Sequence, residues 1–188
     1  MKRLFLLMVA MMATSSLALA ADTYTIDGAH SSAQFAVKHM AISTVRGRFT
    51  DVSGTILFDS AAPEKSSVTA VIKSASLTTD NAMRDKHLNS PEFFDTAKFP
   101  EIKFQSTSIR KVGGGKYVAV GKLTIREVTK QVEIPFTLAE GKGMKGEPRL
   151  GAEGSLTIDR TDYNVSYDAK GMVVSKEVKI DLSIEAGK

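Results

Sequence analysis

Residues 32–40 read SAQFAVKHM and alternate with period two. Ala33, Phe35, Val37 and His39 share one face, and Ser32, Gln34, Ala36, Lys38 and Met40 share the other. An apolar face backed by a wettable one is the pattern of an antiparallel sheet with one side in water. His39 is the titratable exception on the apolar side. The alternation returns in residues 43–50, where Val45, Gly47 and Phe49 oppose Arg46 and Arg48. It returns again through Val68, Ala70 and Ile72, through Tyr117, Ala119, Gly121, Leu123 and Ile125, and through Val132, Ile134, Phe136 and Leu138. Val178, Ile180, Leu182 and Ile184 close the series. Shorter strands are expected at residues 23–26, 55–58, 101–109 and 150–160. Gly113-Gly114-Gly115 reads as a hairpin turn, and Pro135 marks an edge position or a bulge.

The period breaks between residues 80 and 94. Thr79 or Asp80 is placed to cap a short helix running to about Leu88, and Pro91 to open a second helical turn through Phe94. The chain therefore predicts an all-β fold of about eight or nine strands with one helical insertion, and no βαβ rhythm. Closing such a sheet removes its edges, so the choice lies between a barrel and a sandwich. Ala33, Gly47, Ala70, Ala119 and Gly121 are small residues on the inward face. They fit an interior with room for a slender ligand, and equally a filled core that needs relief of curvature.

Residues 1–20 read as a cleaved signal peptide, with Lys2 and Arg3 ahead of an apolar stretch and Ala18-Leu19-Ala20 as the cleavage pattern. A retained anchor is the alternative, but Thr14-Ser15-Ser16 interrupts the apolar run. The remaining residues 21–188 suffice for one domain with a core. The whole chain carries 25 basic and 21 acidic residues, so loss of Lys2 and Arg3 leaves a net charge of about +2. That balance does not predict a nucleic-acid partner. The sequence has no cysteine. Disulfides, thiol catalysis, cysteine metal sites and cysteine lipidation are thereby excluded, and the periplasm is the expected compartment. No second long apolar segment predicts stable membrane insertion.

His30, His39 and His87 form no local metal-ligand spacing, and no GxSxG elbow is present. No catalytic residue, metal or cofactor is assigned from the sequence, although an exported enzyme using His39 or His87 is the rival reading. The densest polar cluster is Arg84-Asp85-Lys86-His87-Leu88, followed by Phe93-Phe94. Over one barrel end, it would offer basic groups at a mouth and aromatic rings on the apolar side, as an amphiphile with a polar head requires. A solvated helix anchored by two core phenylalanines is the bland alternative.

Several stretches together resemble the YceI-like family. They include Asp27-Gly28-Ala29-His30-Ser31, Phe35-Ala36-Val37-Lys38-His39, Val45-Arg46-Gly47-Arg48-Phe49 and Gly54-Thr55-Ile56. Arg84-Asp85-Lys86-His87-Leu88, Phe93-Phe94-Asp95, Phe99-Pro100-Glu101-Ile102-Lys103-Phe104, Gly121-Lys122-Leu123-Thr124-Ile125 and Val128-Thr129-Lys130 continue it in order. Glu127 and Tyr163-Asn164 depart from the family's usual glycine and Phe-Gly. The resemblance implies an extended, lipocalin-like antiparallel barrel that binds long isoprenoid lipids of polyprenyl or quinone type, without catalysis. On that reading Phe35, Val37, Val45, Gly47 and Phe49 line the tail cavity with Leu88 and Phe94. Arg84 and His87 meet the ligand head, with His39 the next candidate. The residues leave a homodimer open.

Overall fold

The computed structural model describes residues 21–188, so the signal peptide read at residues 1–20 lies outside the described residues. Eleven strands run in chain order: β1 (Asp22–Ile26), β2 (Ser32–His39), β3 (Ser43–Phe49), β4 (Val52–Phe58), β5 (Ser67–Lys73), β6 (Leu77–Thr78), β7 (Glu101–Gly113), β8 (Lys116–Ile125), β9 (Val128–Lys142), β10 (Pro148–Asp159) and β11 (Val174–Gly187). One helix, α1 (Ala82–Asn89), interrupts them. Eight strands form a closed antiparallel ring in the order β1-β4-β5-β7-β8-β9-β10-β11. The pairs Thr25↔Gly187 and Ile26↔Ala186 close it. Strands β2, β3 and β6 continue outward from β11. The fold is the expected lipocalin-like barrel; the strand that periodicity did not reveal is β6, which has only two residues.

Alternation explains most of the wall. Phe35 pairs with Gly47 and Ile180, and Val37 with Val45 and Val178, so the apolar faces of three strands coincide. At the end where β1 closes the ring, Tyr24 and Phe58 meet edge to face, and Leu150 and Ala186 are fully enclosed. That end is plugged. The other end is covered by α1 and the turns around it.

Four details differ from the sequence reading. The α1 cap is Asn81, whose side-chain oxygen accepts the Arg84 N–H at 3.0 Å. Asp80 sits at φ +58°, and Thr79 is buried beneath the helix. Pro91 opens only turns, not a second helix. Pro135 lies in an interior strand, opposite Val118 of β8. It is tolerated because β9–β10 pairing stops at Phe136↔Gly154, so the missing N–H faces no partner strand. The seam that opens there is filled by the 3-10 turn Arg160–Tyr163. Strand β2 also ends at His39, one residue early, and Met40 starts the turn.

That turn is strained. The Ile42 N–H donates to the His39 carbonyl at 3.0 Å, and both central residues, Met40 (φ +51°) and Ala41 (φ +57°), lie in the left-handed region. Side chains with a Cβ cost about 1 kcal/mol each there, which is why Asn-Gly dominates such turns. Installing Met40→Asn with Ala41→Gly is expected to raise the unfolding free energy by roughly 1–2 kcal/mol. A urea midpoint no higher than that of the parent chain would contradict this.

Candidate functional site: an apolar cavity with a basic mouth

A cavity of about 420 Å³ runs inside the barrel. Its size falls within the range of small-molecule and lipid pockets, about 300–1,000 Å³. Small side chains open it: Ala33, Ala70, Ala119, Ala152 and Gly154 all face it. Larger aliphatic and aromatic groups complete the wall, among them Ile56, Phe104, Leu156, Ile158 and Ile180. Among the described residues the wall includes no serine, threonine, aspartate or glutamate. It therefore has no serine or threonine nucleophile and no acid–base carboxylate pair.

Nine of the ten residues singled out from sequence reach this cavity. Phe35, Val37 and His39 of β2 and Val45 and Phe49 of β3 line it, as do Arg84, His87 and Leu88 of α1 and Phe94 just after it. Phe35, Phe49 and Phe94 form a run of rings with centroids 5.7 Å apart. Gly47 does not line the cavity. The Phe35 ring lies across it, and a Cβ at Gly47 would come within 2.3 Å of that ring and 2.8 Å of Thr79. Gly47 is thus the floor that lets Phe35 lie flat. Gly121 plays the same part beneath Phe104, where a Cβ would approach the ring to 2.5 Å.

The helix presents Arg84 in a defined pose. Its Nε donates to the Thr79 hydroxyl at 2.7 Å and its Nη2 to the Thr79 carbonyl at 2.9 Å. The Nη1 group donates no hydrogen bond among the described residues. No carboxylate there lies within ion-pair distance of Arg84 either: Asp80 pairs with Arg48, and Asp85 is held by Thr78 and Thr79. Burial pushes the Asp85 carboxyl up, but those hydrogen bonds outweigh it and leave it below the usual carboxylate range. Arg84 is therefore a cation at the cavity wall with donor capacity unspent. His87 is more committed. Its Nε2 contacts Glu92, and its ring stands edge-on to Phe93 and Tyr167 at 5.0 and 5.1 Å. His39 lines the wall beside Val174.

Two arginines that sequence reasoning missed hold this cover in place. Arg160 is only 5% exposed. All five of its donor positions are filled by backbone carbonyls: Ser175, Val165, Tyr167, Asp168 and Val174, at 2.5–3.0 Å. Burial draws its pKa down from the ordinary value. Asp168 closes the same loop, and the N–H groups of Val174 and Val173 hold its carboxyl below the usual range. Arg126 reaches from the β8–β9 turn to the carbonyls of Phe93 (3.0 Å) and Asn164 (2.6 Å), and stacks over Phe99. The two departures from the family pattern meet here: Asn164 Nδ2 donates to Glu127 at 2.6 Å. Asn164 sits at φ +59°, where asparagine substitutes for glycine at low cost. No charge pattern in the sequence betrays these contacts, because their acceptors are mostly main-chain oxygens.

A family model described as the YceI-like domain matches residues 24–186. The chain belongs to the YceI-like family. A UPF0312 protein of Photorhabdus laumondii is 41% identical over 179 residues, covering 94% of this chain and 91% of that one. The solved structure of Burkholderia cenocepacia BcnA matches with a TM-score of 0.78 at 28% identity, over 85% of this chain and 98% of its own. A polyisoprenoid binding domain from Saccharophagus degradans shares the fold with a TM-score of 0.68 at 17% identity, over 87% of this chain and 97% of its own. This YceI-like chain is a barrel around an apolar cavity of a size and lining that suit a hydrophobic ligand. The cluster of Asp27, His30 and Glu185 lies outside the cavity, and Arg149 pairs with both of its carboxylates. Among the described residues no helix is long and apolar enough to cross a membrane.

Proposed function

We propose that this YceI-like protein is an exported, periplasmic carrier or sequestering protein for a long isoprenoid-like amphiphile of polyprenyl phosphate or isoprenoid quinone type. The observation that carries the reading is an apolar cavity with the Arg84 guanidinium in its wall, whose Nη1 has no partner among the described residues. A tail gains roughly 0.8 kcal/mol for each buried CH₂, so affinity needs few specific contacts. The polyisoprenoid binding named for the Saccharophagus domain supports an isoprenoid tail on the same fold. Mass spectrometry of protein gently purified from the periplasmic fraction tests this. A copurifying long-chain isoprenoid and an N-terminus at Ala21 are expected. A chain beginning at Met1, or one that takes up no prenyl ligand when offered it, would defeat the reading.

The head is expected to lie at Arg84 and His87. The free Nη1 of Arg84 suits an anionic oxygen, and His87 suits any head oxygen. Arg84→Ala should weaken a prenyl phosphate by about tenfold or more, from the loss of roughly 1.5–3 kcal/mol for a hydrogen bond to a charged group. It should weaken a neutral quinone with a matched tail much less. His87→Ala should weaken both. Titration of folded variants with the two ligands decides; equal losses in Arg84→Ala would move the head elsewhere.

A further inference from the structure

Among the described residues, four of the seven exposed large hydrophobic side chains, Met40, Ile42, Met83 and Met172, lie toward one end. Ile42 is 85% exposed and Met40 53%, both on the β2–β3 turn, and Met172 is 74% exposed on the loop before β11. The Met40 N–H donates to the Val173 carbonyl at 2.8 Å, so turn and loop form one surface. Met83, 86% exposed, stands on α1, which lines the same cavity through Arg84, His87 and Leu88. The cavity wall reaches the tip: His39 and Val174, a cross-strand pair, both line it and adjoin Met40 and Val173. By contrast Leu57, Val112 and Met144 stand apart from one another in sequence, on β4 and on two separate hairpins, away from that turn.

We propose that this tip docks on an anionic lipid bilayer, with Met40, Ile42 and Met172 entering the headgroup boundary and bringing the cavity mouth to the membrane. Charge supports that choice of partner. Lys38, Lys170 and Lys176 are exposed on the strands and loop that carry the tip, and Lys86 is exposed on α1. None of them is ion-paired among the described residues, where lysine pairs form at Lys73, Lys103, Lys130, Lys179 and Lys188. Glu177, Asp159 and Asp168 oppose them, but Thr161 hydrogen-bonds the Asp159 carboxylate and two backbone N–H groups take up that of Asp168. Apolar side chains flanked by cations are the recipe for shallow, reversible attachment to anionic lipid. The turn adds independent weight. Met40 and Ala41 occupy positions that favour Asn-Gly, so the chain keeps an apolar tip against its own backbone preference.

The proposal rests on the carrier reading, because a lipid carrier must meet the membrane to load, and its test separates the two. The mature chain is floated with vesicles of phosphatidylglycerol and phosphatidylethanolamine, and with pure phosphatidylcholine. Uptake of a soluble fluorescent prenyl probe is measured separately, without vesicles. The chain is expected to float with the anionic vesicles and to be released by high salt. Met40→Asn/Ala41→Gly/Ile42→Ser should cut partitioning at least tenfold while folding at least as stably and taking up the probe normally. Lys38→Gln with Lys170→Gln should weaken binding about fivefold for each charge removed, on anionic vesicles only. The proposal is overturned if the parent chain does not float, if the tip variant floats as well as the parent, or if only native membranes with their proteins capture it, which would mean a protein receptor. A chain that floats but takes up no probe supports docking and sinks the carrier reading instead.

Discussion

Arg160→Met is expected to lower the unfolding free energy by about 3–5 kcal/mol, the largest loss from any single contact set in the barrel. The physical reason is the asymmetry between making and breaking buried hydrogen bonds. Five carbonyls converge on one guanidinium, and no carboxylate lies within ion-pair distance. Each carbonyl left without a donor costs roughly 1–3 kcal/mol if it stays buried, and less where water can enter. Methionine matches the stem but offers no donor. Arg160→Lys, with three donors on a point charge instead of five on a planar fork, should recover only part of the loss. The effect should also reach the ligand. Tyr163, Val165 and Tyr167 line the cavity from the segment that Arg160 ties down, and Tyr163 is only 2% exposed in the β9–β10 seam. Urea denaturation of the two variants reads the stability, and prenyl-probe titration of the folded Arg160→Lys protein reads the seam. A midpoint unchanged in Arg160→Met would mean that the loop is held by its packing alone.

Arg160 also shows where the sequence stops being readable. Alternation made the wall legible, because an inward side chain every second residue is a property of the strand itself. Phe35, Val37, Val45 and Phe49 follow from it directly. The cover does not, because residues 160–173 have no period and their partners are main-chain oxygens supplied by neighbours brought in by the fold. The helix cap illustrates a milder case. Thr79, Asp80 and Asn81 are all good capping residues, and tertiary contacts chose among them: Thr79 is occupied by Arg84 and Asp85, and Asp80 by Arg48. Gly47 was misread for the opposite reason. Its place on the inward face was right, but the ring of its cross-strand partner, Phe35, lies over it. Periodicity tells which way a residue points, not what stands in front of it.

The second large effect is expected from filling the cavity rather than emptying its frame. Ala70 of β5 faces the cavity between Gly54 and Phe104, its cross-strand neighbours. Ala70→Phe places a ring where tail would lie, and should displace about one isoprene unit. At roughly 0.8 kcal/mol per buried CH₂-sized group, losing four or five such groups costs about 3–4 kcal/mol, a loss of a hundredfold or more in affinity. Overpacking of the wall itself should cost about 1–3 kcal/mol of stability, so circular dichroism must first show a folded barrel. Tail length then supplies an internal control. In the parent chain, affinity should climb with each added isoprene unit until the cavity is full. In Ala70→Phe the climb should stop about one unit sooner, while ligands shorter than that limit bind both proteins alike. Because the proposed head site on α1 is unchanged, the anionic-over-neutral preference at short tail lengths should also be unchanged. A length series that runs parallel in the two proteins would show that the tail does not pass Ala70.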